Sequence, residues 1–179
     1  MMFQTAAGVT IPFPERLSER YQQEGDTLTC NLSFEKLDDF VRAFYDALDE
    51  PLFLAIHPDA DADEVWYLDN MTKAQLTMIL DGYGELLYQD GLSAFAIGSL
   101  ATEEELFVQK YKVLSLYSPR VARFTALLER FGVARTDRLV TAWDTFSDAH
   151  PGSAQRLVVA GQTVPDLIRE LEQLGMYRG

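Results

Sequence analysis

The chain has 179 residues, 47% of them hydrophobic and 12% aromatic, with one cysteine and a net charge of −13. That is the composition of a folded globular chain rather than a disordered one, and a lone Cys30 excludes an intramolecular disulfide. There is no apolar run of about 18 residues, so no segment is expected to span a membrane. No basic residue precedes Arg16, so no secretory signal is expected, and a cytoplasmic location follows as the expectation.

The length predicts one domain over residues 1–179. Gly8–Pro12 reads as a short edge strand, because Pro12 interrupts ladder pairing. Pro14–Gln23 reads as a short helix with Leu17 and Tyr21 on one side, broken by Gly25-Asp26. Thr27–Leu32 alternates Leu28, Cys30 and Leu32 with polar neighbours, the pattern of a strand with a buried, inert thiol. Ser33 then opens a helix whose stripe is Phe34, Leu37, Val41, Phe44 and Leu48. Together these make a β-α unit.

Three ββα units are expected after it, over about residues 51–91, 92–132 and 139–175. The first is the strand Leu52–His57, an acidic turn, the strand Glu64–Asp69 and a helix from Thr72. The second is Ser93–Ser99, one long strand Glu105–Tyr117 with a polar middle, and a helix opened by Ser118-Pro119 and closed by Gly132. The third is Leu139–Phe146, Arg156–Ala160 and a helix whose start, Thr163-Val-Pro-Asp166, is a capping-box variant. The small residues Ala55, Ala94, Ala96, Gly98 and Ala142 suggest helices seated close on the strands. The expected class is α+β: a mixed or mostly antiparallel sheet, one β-α unit plus three ββα units, with the helices packed on it.

Charge is unevenly distributed. Residues 1–90 carry 18 acids against 5 Lys and Arg, and residues 91–179 carry 10 of each. Such a field repels nucleic acid and anionic membranes and attracts a basic protein surface or cations; solubility alone also accounts for it. Asp59, Asp61 and Asp63 have the one-in-two spacing of a calcium loop, but the sixth position is Glu64 rather than Gly and the twelfth is Asn70 rather than Glu. The motif is broken, so no metal and no cofactor are expected, and the run reads as a solvated hairpin turn. Trp66 and Tyr67 follow it on opposite faces of one strand, so one aromatic ring is expected to face away from the core.

No catalytic set is assembled. His57 and His150 are the only histidines, Gly91–Phe95 lacks the second Gly of a nucleophile elbow, and there is no phosphate loop. Strand alternation places Asp144 on an apolar side beside Trp143, where a carboxylate needs a partner such as Arg138 or Arg156.

Two classes of function therefore fit. One is a non-enzymatic acidic protein, of inhibitor or immunity type, that occupies a basic surface of a protein partner through Asp59, Asp61, Asp63, Glu64, Trp66 and Tyr67. The other is an enzyme or small-molecule-binding domain with a pocket near His57, Trp143 and Asp144. The one-sided charge favours the first.

Overall fold

The computed structural model describes residues 2–179. Alternation along the strands decides which face of the sheet is buried. In β4 (Leu52–His57), Leu52, Leu54 and Ile56 join the main core, while Phe53 and Ala55 belong to a small cluster on the other side. The same split runs through β3 (Thr27–Asn31), β6 (Ala94–Ser99), β7 (Glu104–Val108) and β8 (Val113–Tyr117): Leu28, Cys30, Phe95, Ile97, Leu106, Val108, Leu114 and Leu116 all face the main core. Four helices supply the other half of that core. They are α1 (Phe34–Asp46), α2 (Lys73–Gln89), α3 (Ala122–Arg130) and α4 (Val164–Glu172), each with one apolar stripe turned to the sheet. All four therefore lie on the same face.

Among the described residues the sheet has nine strands in the order β11-β5-β4-β6-β7-β8-β3-β2-β9, where β2 is Arg20–Glu24, β5 Trp66–Met71, β9 Ala134–Arg135 and β11 Tyr177–Arg178. Every neighbour pairs antiparallel except β2 and β9, which run parallel. The fold is α+β with a mixed, mostly antiparallel sheet, as expected. A separate two-stranded ribbon joins β1 (Val9–Thr10) to β10 (Ser153–Ala154).

Four expectations about the elements fail. The helix expected to open at Ser118-Pro119 starts instead at Ala122 with Val121 as N-cap, and Ser118 Oγ donates to the buried Glu104 and accepts from the Arg120 amide in the turn before it. The stretch Glu105–Tyr117 is not one long strand but the hairpin β7–β8. Its turn contains neither Gly nor Pro; instead Tyr111 (φ 60°) and Lys112 (φ 58°) both take the left-handed conformation. That costs energy for side-chain-bearing residues, and Tyr111 offsets it by packing edge-on to Trp143 and Phe146, with centroids 5.0 and 4.8 Å away. Residues 14–23 form one 3-10 turn, Pro14–Arg16, and then β2, because the two-residue Gly25-Asp26 turn pairs Glu24 with Thr27 and zips the chain onto β3.

The third ββα unit does not exist. Leu139–Phe146 holds a 3-10 helix, Ala142–Thr145, set by Asp144 accepting from the Thr141 amide at 2.7 Å. Arg156–Ala160 joins no sheet; it is drawn instead to Asp90, which accepts from Arg156 and from the Leu157 amide. Of that unit only α4 remains, followed by the edge strand β11.

Candidate functional site

The turn between β4 and β5 is held by backbone bonds, one within it and one to the segment before β6. The Ala60 amide donates to Leu92 O at 2.8 Å and the Ala62 amide to Asp59 O at 3.1 Å. Asp59 Oδ1 accepts from the Asp61 amide at 2.9 Å, an Asx turn, which gives Asp59 a structural role in the turn. Among the described residues no three His, Cys, Asp or Glu side chains converge as a metal-binding group. Asp59, Asp61 and Asp63 are exposed, and Asp61 is paired with Lys110. Glu64 Oε1 accepts from Trp66 Nε1 at 2.8 Å, which holds that indole half-buried at the edge of the main core.

Tyr67 points the other way, onto the sheet face that carries no helix. It packs beside Val65 and stands 5.9 Å from the Tyr177 ring. The centre of this face is Phe53, Ala55 and Ala96, flanked by Val65, Tyr67 and Phe107. The Phe53 ring lies across Gly98, where a Cβ would come within 2.7 Å of it. His57, half-buried, rests 5.5 Å from the Phe107 ring, and burial lowers its pKa. Tyr117 and Tyr177, both exposed, mark the two flanks. The face is thus an aromatic-rimmed floor of small residues with the acidic turn at one end.

Phe53, Phe107 and Tyr177 were not singled out by sequence. The available signal was the set of small residues: Ala55, Ala94, Ala96 and Gly98 do not seat helices, because they lie on the face opposite to them.

The residues of the alternative pocket do not converge. Trp143 is 51% exposed and stacks edge-on with Tyr111 and Phe146. Asp144 is exposed and spends its carboxylate capping Thr141. His57 sits on the open sheet face, against Phe107.

Among the described residues three buried charged groups lie elsewhere. Glu104 is fully enclosed and accepts from Ser118 Oγ (2.7 Å), Arg120 (2.7 Å) and Arg123 (3.0 Å). Burial alone would raise its pKa, but these donors outweigh it and hold the carboxyl below its usual range. Asp90 is equally enclosed and takes Arg156 at 2.7 Å with the Ser93 and Leu157 amides. Lys112 is 8% exposed and has one long bond, 3.4 Å, to Leu87 O.

Comparisons with protein-family models, curated proteins and solved structures give no match.

Proposed function

We propose that this chain is a non-enzymatic binding protein that occupies a basic surface of a protein partner, of inhibitor or immunity type. One observation carries the reading: the acidic turn adjoins a helix-free sheet face whose floor is apolar and whose rim is aromatic. Carboxylates and aromatic rings thereby lie side by side, which supports the reading. Carboxylates at the end of the face steer a cationic partner, while Tyr67, Phe107 and Tyr177 offer the ring surfaces that dominate interface energetics. The sites weighed for catalysis, by contrast, are scattered or committed to capping.

Site-specific photo-cross-linking tests this. A cross-linker placed at Tyr177 is expected to trap a basic protein in cells that make this chain, and one placed at Asp39, on the outer side of α1, is not. Equal trapping from both positions contradicts the reading.

A further inference from the structure

A second surface is independent of the acidic turn. Between α2 and α4, beside β5, runs a groove of about 820 Å³. Its apolar lining includes Met71, Met78, Ile79, Leu171 and Leu174. Met78, on α2, is 73% exposed and Leu174, just after α4, is 67% exposed, so each wall presents a large apolar side chain to water. β11 pairs only with Trp66 and Tyr67, which leaves Leu68–Met71 of β5 without a strand on that side of the groove.

The charges of the lining have one sign. Among the described residues that line it, Asp69 and Glu170 are the carboxylates and none is Lys, Arg or His. Both carboxylates accept from neutral donors: Asp69, at the β5 edge on the side of Tyr67, from the Tyr177 hydroxyl, and Glu170, on the helix side, from the Tyr83 hydroxyl and from Gln162 at 2.7 Å. They are positioned but not neutralised.

We propose that this groove docks an amphipathic helix of a partner protein, with aliphatic side chains along one face and lysine or arginine at its margin. Two helices forming the walls of an apolar channel present the ridges and grooves into which a third helix packs. The unneutralised Glu170, in a lining without Lys, Arg or His, selects a basic margin. A second copy of this chain is disfavoured, because its own net charge of −13 opposes self-association.

The probe is a helical peptide of about 14 residues made of Leu and Lys, with the leucines at amphipathic spacing, followed by methionine-methyl NMR of the full chain. The Met78 and Met71 methyls are expected to shift saturably, while that of the exposed Met2 stays in place. Met78→Asp with Leu174→Asp is expected to weaken binding at least about tenfold. The milder pair Met78→Gln and Leu174→Gln should act in the same direction, and thermal melting checks that both variants fold. Glu170→Gln should weaken binding about threefold and flatten its salt dependence. Replacing the peptide's lysines by glutamates should abolish binding. Neutralising Asp59, Asp61, Asp63 and Glu64 should leave it unchanged, which separates this groove from the acidic turn. The proposal is overturned by the absence of a saturable Met78 shift, by equal binding of the glutamate peptide, by undiminished binding to the Met78 and Leu174 variants, or by a Met78 shift that appears on concentrating the protein alone.

Discussion

Lys112 is the residue whose environment most opposes its chemistry. Burial lowers its pKa from 10.5 to about 8, against the opposing pull of the Asp90 carboxylate. The folded chain therefore gives up this proton near pH 8, whereas the unfolded chain keeps it until near pH 10.5. Between those values the unfolded state binds more protons, so stability rises with pH. The contribution is fully present above the unfolded pKa and is lost as pH falls through the folded one. Lys112→Met is expected to stabilise the protein at pH 7 by roughly 1–2 kcal/mol, after allowing for the lost bond to Leu87 O. In urea melts the gap between variant and wild type should shrink from pH 7 to pH 10, and a gap independent of pH would show that the ammonium is hydrated in the fold. Glu104 behaves in the opposite sense. Its carboxyl is held low, so its contribution is present above the ordinary carboxylate range and is lost as pH falls through the folded value. Glu104→Gln should cost about 3 kcal/mol at pH 7, measured by the same melts, because Arg120 and Arg123 lose the carboxylate placed between them.

Among the elements, α2 offers the clearest contrast. A Cβ at Gly82 meets nothing within 4 Å, whereas one at Gly84 comes 3.1 Å from the Tyr88 ring. Gly82→Ala is thus expected to stabilise the helix by roughly 1 kcal/mol and raise Tm by about 2–4 °C, while Gly84→Ala gains less or nothing. Equal gains at both positions in calorimetry would contradict the packing of Tyr88 against Gly84. The elements that sequence made legible are those whose signals are local. The stripe of α1, the Thr163–Asp166 capping box of α4 and the alternation of β3 are all present in the fold. The misread elements were decided by distant partners. Arg20–Glu24 became a strand because β3 was available to pair with it, and Arg156–Ala160 did not because Asp90 claimed Arg156 and Leu157. The β7–β8 turn was hidden because its left-handed residues are Tyr111 and Lys112 rather than glycines. Of the candidate site, the acidic turn and the opposed rings of Trp66 and Tyr67 were legible. The apolar floor was not, since Phe53, Ala55, Ala96 and Phe107 come from three strands that only the register brings together.

For the whole molecule, the two halves of the sequence are interleaved in one sheet. β3, from the acidic half, pairs on one side with β8, and β4 pairs with β6. A cut near residue 90 or 135 separates paired strands, so limited proteolysis is expected to leave no fragment ending there that still unfolds cooperatively. The interleaving also bears on the charge. The acidic excess of residues 1–90 is not confined to one side of the sheet, because β5 lies toward one edge and β2 toward the other. What concentrates it next to exposed rings is the turn between β4 and β5. Steering by such a turn acts on the association rate and is screened over about 10 Å at 0.1 M salt, while buried anchors set dissociation. The most direct measurement is therefore the association rate of the trapped partner with wild type and with the combined variant Asp59→Asn, Asp61→Asn, Asp63→Asn and Glu64→Gln, at low and moderate salt. Binding through the acidic turn predicts association about tenfold slower at low salt, a flatter salt slope and little change in dissociation. An association rate and a salt slope both at wild-type values would contradict it.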